Sequence, residues 1–223
     1  MIKENIERVK ERIVVSCAKV DADPDKIVIV CVTKGQQLKQ ISEVISLGYK
    51  DIGENRVQEA VIKHKALLTI DSGLSTIKWH MIGHLQSNKV KEAIKIFDLI
   101  HSVDSVGLAE EINKQAIKIS KIQDVLLEVK TSEEETKFGF APEEVKAASA
   151  EIYKLSNVNI KGLMTIAPFA DNAQEARKYF SLLRRLRDKL NPEWLISMGM
   201  SDDFEVAIEE GANIIRLGRA IFN

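Results

Sequence analysis

Lys34 stands where an apolar run stops. Ile27-Val28-Ile29-Val30-Cys31-Val32 is mostly β-branched, the pattern of a strand buried on both faces. A lysine at the carboxyl end of such a strand sits where α/β folds gather their chemistry. Its amine, partly desolvated there, can lose a proton near neutral pH and attack a carbonyl. The plainer reading, a solvated lysine marking the strand end, needs the same residue.

Two later stretches bear on that choice. Ser197-Met198-Gly199-Met200-Ser201-Asp202-Asp203 puts two serines and a glycine between a strand and a helix start. Free N–H groups at a helix start, with the Ser201 hydroxyl, form an anion pocket, although Ser201 as a simple N-cap calls for the same residue type. Arg216-Leu217-Gly218-Arg219 closes another strand, and Gly218 allows close backbone approach. An amine opposite an anion pocket suits a phosphorylated aldehyde or another phosphorylated carbonyl compound. His80 and His84 have i, i+4 spacing, but Gly83 and the strand pattern before it argue against a metal-binding helix. His80 is expected at a strand end, and His84 at the helix that follows. His64 and His101 carry no constellation.

The elements that would position these residues alternate regularly. Strands are predicted over 27–32, 49–53, 77–82, 98–103, 124–129, 159–166, 194–197 and 213–217. An amphipathic helix opens the chain with Ile2, Ile6, Val9, Ile13 and Val14. Further helices are predicted over 38–47 (closed by Gly48), 57–68, 86–97, 105–119, from Pro142 onward, 172–190 and 202–210. Asp71-Ser72-Gly73 and the polar stretch from Thr131 to Thr136 read as loops, and Arg184-Arg185-Leu186-Arg187 as the exposed side of its helix. The alternation argues for a single (β/α)8 TIM barrel over 1–223, with the opening helix covering the side of the last strand. A doubly wound open sheet is the alternative, but no strand is followed by a dinucleotide glycine fingerprint. In a barrel, Lys34, Asn55, His80, Thr165, Ser197, Ser201 and Arg216 would meet above one core.

Composition excludes several classes. The 223 residues are 45% hydrophobic and 29% charged with a net charge of −1, so nothing attracts nucleic acid or an anionic membrane. No apolar run approaches the roughly 20 residues of a membrane span, and the charged N-terminus lacks a signal-peptide core. Cys17 and Cys31 have no metal or redox spacing and read as reduced core residues, which fits the cytoplasm.

Five segments add a resemblance. Val32-Thr33-Lys34, Ile52-Gly53-Glu54-Asn55-Arg56-Val57-Gln58-Glu59, Trp79-His80-Met81-Ile82-Gly83-His84-Leu85-Gln86-Ser87-Asn88-Lys89, Gly162-Leu163-Met164-Thr165-Ile166 and Ser197 to Asp203 resemble the pyridoxal phosphate homeostasis protein family. That family is similar to the barrel domain of alanine racemase without its second domain. The resemblance implies a cytoplasmic carrier or buffer of pyridoxal 5'-phosphate (PLP), held as a Schiff base on Lys34. It places Ser201 and the backbone of Gly218 and Arg219 at the phosphate, Arg216 at the pyridine nitrogen, and Asn55, His80 and Thr165 near the cofactor. Its partners would be PLP and PLP-dependent apo-enzymes, with no nucleic acid, membrane or metal, and the chain would be a monomer without catalysis of its own. The enzyme alternatives are a PLP-dependent amino-acid racemase, which needs acid–base groups on both faces of its substrate, and a Schiff-base aldolase, for which Lys130 is the second strand-end amine. The segment Ala220-Ile221-Phe222-Asn223 departs from the family, which has a glycine and a short tail there.

Overall fold

The structure, a computed structural model, describes residues 1–70, 77–132, 134 and 138–223. The loop expected at Asp71-Ser72-Gly73 lies outside the described residues, as do Glu133, Glu135 and Thr136 of the polar stretch. Strands β1 (Val28–Val32), β2 (Asp51–Glu54), β3 (Lys78–Met81), β4 (Leu99–Val103), β5 (Gln123–Glu128), β6 (Val158–Met164), β7 (Leu195–Ser197) and β8 (Ile214–Leu217) form a closed barrel in chain order. All neighbours are parallel, and the seam sets Val28 opposite Ile214 and Cys31 opposite Leu217. This is the (β/α)8 architecture that the alternation predicts.

Strand periodicity divides the apolar residues into two cores. Val30, Ile82, Leu99, Leu126, Met164 and Ile214 pack together inside the barrel. The alternate residues Cys31, Ile52, Ile100, Leu127 and Ile215 join the larger layer between barrel and helices. The first strand feeds both cores, with Val30 inside and Cys31 outside, which is why it reads as continuously apolar. Cys17 and Cys31 are buried free thiols in the outer layer.

The helices are α1 (Ile2–Ala18), α2 (Leu38–Ser46), α3 (Val57–Ile70), α4 (Val90–Ala93), α5 (Val106–Lys118), α6 (Val145–Ile152), α7 (Arg177–Leu190), α8 (Phe204–Glu209) and α9 (Arg219–Phe222). As expected, α1 covers the side of the last strand, packing on α8 and α9. The Asn5 amide donates to the carbonyls of Ile221 (2.9 Å) and Asn223 (2.8 Å), and Arg12 grips Glu205 through two nitrogens. Val14, expected on the apolar face of the opening helix, is exposed instead, as are Ile62 and Leu68 of α3.

Three helices depart from their predicted extents. The helix expected over 86–97 is one 3-10 turn (Ser87–Lys89) and one α turn, which tightens into Lys95 N–H to Glu92 and Ile96 N–H to Ala93 carbonyl bonds and leaves the carbonyls of Ile94 and Phe97 to the Lys121 ammonium at 2.8 and 2.7 Å. Pro142 precedes α6 rather than opening it; Glu144 is the N-cap residue, and its carboxylate accepts the Ala141 N–H. The long helix expected from 172 begins as a 3-10 turn, Ala173–Ala176, before α7. In the arginine run of α7 only Arg185 is exposed. Arg184 pairs with Glu210, and Arg187 donates to the Trp194 carbonyl at 2.9 Å.

Candidate functional site

The chain leaves β1 in a turn, Thr33-Lys34-Gly35-Gln36, closed by Gln36 N–H to Thr33 carbonyl at 3.0 Å. Gly35 takes a φ of +72° at the third position, where a type II turn requires glycine. Thr33 is the fixed point beneath Lys34. Its N–H donates to the Gly53 carbonyl, its hydroxyl to Glu54, and its carbonyl receives the Lys63 ammonium at 2.7 Å. Lys63 also holds Glu54 Oε1 at 2.6 Å, and Glu54 is fully buried. Lys34 itself is exposed, not partly desolvated, and makes no ion pair among the described residues.

On the neighbouring strand across the seam, β8 presents Arg216, 3% exposed, in register with Val30. Its guanidinium donates to Ser197 Oγ at 2.7 Å and to the Thr165 carbonyl at 3.0 Å. Burial lowers it to about 10, against the opposing pull of Asp203 and Glu128, so it stays cationic at neutral pH. Ser201 does not cap α8, whose N-cap residue is Asp203. Its hydroxyl accepts the Ala220 N–H at 3.1 Å and so ties the loop after β7 to the loop after β8. Arg219 pairs with Asp202 across the same two loops. Asn55 follows β2, where Gly83 lets the next loop seat on it: a Cβ at Gly83 would stand 2.4 Å from the Asn55 carbonyl oxygen.

These residues converge on one cavity of about 350 Å3, lined by Lys34, Asn55, Ser201, Arg216, Gly218 and Arg219 among others. An open cleft of about 920 Å3 adjoins it, sharing Lys34 and Asn55. Three expected site residues lie elsewhere: Ser197 is fully buried beneath the cavity, where its hydroxyl holds Arg216. Thr165 turns its hydroxyl to the Val129 carbonyl and Thr131 Oγ1, and only its carbonyl serves the site, by holding Arg216. His80 lies within the barrel, bonded to Asp51 and His101, not at the cavity wall.

Residues 2–223 match the alanine racemase N-terminal domain family. The pyridoxal phosphate homeostasis protein of Aquifex aeolicus is 44% identical over 224 residues, covering 98% of this chain and 96% of its own. The chain belongs to the pyridoxal phosphate homeostasis protein family. PipY of Synechococcus elongatus, a solved structure with PLP bound, is 33% identical with a TM-score of 0.83, covering 100% of each chain. The alanine racemase of Clostridium difficile shares the fold at 16% identity and a TM-score of 0.72, over 96% of this chain and 58% of that one.

In this member of the family, sequence reasoning missed His101, Asp51 and Glu128. His101 does belong to a constellation, linking His80 to Ser197. Strand parity held the signal: counting by twos from Leu99 and Ile82 puts His101 and His80 on the barrel's inner face. His84 pairs with Asp104 at 3.0 Å and stacks on Phe138. Among the described residues no group of three or more His, Cys, Asp or Glu side chains could hold a metal ion.

Glu128, 8% exposed at the end of β5, carries a testable pH dependence. Burial pushes its carboxyl up to about 7, with Asp104 adding to the rise and Arg216 opposing it. The folded chain therefore binds this proton more tightly than the unfolded chain does. The associated stability is intact below about pH 4.5 and is lost as pH climbs through 7. Glu128→Gln, neutral throughout, is expected to match the native protein near pH 4.5. At pH 8 it should exceed the native protein by about 3 kcal/mol in urea unfolding. A variant with the native pH slope would contradict the assignment.

Proposed function

We propose that this protein holds PLP covalently on Lys34 and carries or buffers the cofactor without robust catalysis of its own. The observation that carries the reading is the single cavity in which a strand-end amine faces the paired loops after β7 and β8. The donor set fits the cofactor. The Lys34 amine can condense with an aldehyde, releasing water, while the Ser201 hydroxyl and the backbone at Gly218 and Arg219 suit a phosphate. Arg216 suits a ring nitrogen that accepts a hydrogen bond. When bound, PLP supplies a reactive aldehyde and an electron-withdrawing pyridine ring.

The same residues argue against strong catalysis. Arginine can only donate, so a ring nitrogen facing Arg216 stays unprotonated and the ring withdraws electrons weakly. Among the described residues no Asp, Glu, His, Tyr or Cys side chain lines this cavity, so a second acid–base group could come only from the adjoining cleft, which Glu59 and His84 line. Protection of other molecules from a free aldehyde follows from sequestering it. The rival reading, a racemase, predicts rapid exchange of amino-acid α-protons. Incubation with common amino acids in deuterated water, followed by NMR, is expected to show only slow exchange. Enzyme-like exchange would put the racemase first.

Ser201→Ala tests the phosphate end. A hydrogen bond to a charged group contributes about 1.5–3 kcal/mol, or roughly ten- to a hundredfold in affinity. The variant is expected to lose PLP that much more readily on dialysis, followed by absorbance, while remaining folded. Unchanged retention would reduce Ser201 to its tie with Ala220.

A further inference from the structure

Beneath the cavity a line of polar side chains crosses the apolar interior of the barrel. At its lower end is Asp51, the first residue of β2, its side chain 27% exposed. Its carboxylate lies 3.0 Å from His80 Nε2. His80 Nδ1 is 2.9 Å from His101 Nε2, and His101 Nδ1 is 2.9 Å from Ser197 Oγ. Ser197 Oγ in turn accepts from Arg216 at 2.7 Å. His80, His101 and Ser197 are buried, and none of the three, nor Asp51, lines the cavity that holds Lys34.

With both imidazoles neutral, the two ends dictate the direction of every bond. An arginine can only donate and a carboxylate can only accept. Arg216 therefore donates to Ser197, and His80 donates its Nε2–H to Asp51. Neutral His80 is then left with a bare Nδ1, which must accept from His101 Nε2–H. His101 is left with a bare Nδ1, which must accept the Ser197 hydroxyl proton. All four bonds point from Arg216 toward Asp51, and both imidazoles are neutral Nε2–H tautomers. Burial, then His80 and the Arg216 charge, hold His101 well below the usual imidazole range, which agrees with a neutral ring. Reversing one bond alone would set two donors or two bare nitrogens face to face, so the line reverses as a unit or not at all. The other charges that act on Arg216 are Glu128, on β5, and Asp203, at the start of α8.

We infer that Asp51, His80, His101 and Ser197 are positioning residues that set the orientation of the Arg216 guanidinium, and so its donor toward the PLP ring, from the opposite end of the barrel. The role rests on the PLP reading above. Asp51 is the residue that makes the direction unique. An amide in its place could donate as well as accept, and the line could then run either way. In the reversed line His101 donates to Ser197, whose own proton must find another acceptor, and the bond that holds Arg216 loses the support of its neighbours.

The test uses the full-length protein, labelled with 15N at histidine, with PLP bound and after its removal. Native protein at pH 7 is expected to show His80 and His101 as neutral Nε2–H tautomers in both states. Nδ1–H at His101 would overturn the direction, whatever any variant does. Asp51→Asn keeps the size and the acceptor at a partly exposed site, so it is expected to fold. It should show mixed tautomers at both rings and release PLP about fivefold faster than native protein, a modest coupling for residues that share one network. Asp51→Glu should restore most of the native rate. Mixed tautomers with a native release rate would overturn the positioning role and leave the line purely structural. Native tautomers in Asp51→Asn would equally overturn it, since Asp51 would not set the direction. A native protein that takes up no PLP is a different result: it would overturn the cofactor reading and this role with it.

Discussion

Lys34→Ala is expected to remove the covalent hold on PLP and with it the visible absorbance of the loaded protein. What remains are noncovalent contacts at Ser201, at the backbone of Gly218 and Arg219, and at Arg216. The two side-chain contacts, from Ser201 and Arg216, at about 1.5–3 kcal/mol each sum to roughly 3–6 kcal/mol, with the backbone contacts adding to this and the cost of association subtracting from it. That corresponds to a Kd between tens of micromolar and several millimolar, before the costs of ordering the ligand. A ligand held so loosely leaves on dialysis. The fold should be unaffected, because Lys34 is exposed and makes no ion pair among the described residues. A variant that keeps its colour through dialysis at native stoichiometry would show that another amine carries the cofactor.

The second large effect lies just behind that lysine. Lys63→Met should cost about 3 kcal/mol of stability, the lower end of the range for breaking a buried pair. Glu54 is fully buried, and Lys63 holds it at 2.6 Å and the Thr33 carbonyl at 2.7 Å. The cost is limited because burial already pushes the Glu54 carboxyl up, against the downward pull of Lys63 and Thr33. Deprived of Lys63, it would take a proton rather than remain an unpaired charge. For a chain of this length the loss corresponds to a fall in Tm of roughly 6–12 °C. PLP should also be released faster, since Thr33 anchors the turn that carries Lys34. The double variant Glu54→Gln with Lys63→Met should regain much of the stability. A fall in Tm of under about 2 °C in Lys63→Met would mean that the pair contributes little.

Local pattern and tertiary pairing explain what could be read from the chain. Ile27 to Val32 is a barrel strand because both of its faces meet apolar layers, and that burial is written in its composition. Gly48 and Gly211 end their helices with φ near +90°, as helix-closing glycines do. Ser201 and Gly218 were legible as loop residues after β7 and β8. That Ser201 bonds to Ala220 was not, because the partner lies 19 positions away on another loop. The shortness of α4 was hidden for the same reason, since the lysine that takes the carbonyls of Ile94 and Phe97 just after it comes from beyond α5. His101 looked inert because one imidazole in an apolar run says nothing until barrel closure brings His80 and Ser197 to its two nitrogens. Lys34 was placed at the right strand end, but its exposure depends on the turn at Gly35, which carries it past the last ladder position.

The central claim is that Lys34 is the amine that holds PLP. It is tested most directly by loading the native protein with PLP, reducing it with borohydride and mapping the peptides by mass spectrometry. Reduction should abolish the visible band and fix one pyridoxyl group per chain on the peptide that contains Lys34. A pyridoxyl group found mainly on Lys89 or Lys130, or spread over surface lysines, would contradict the account.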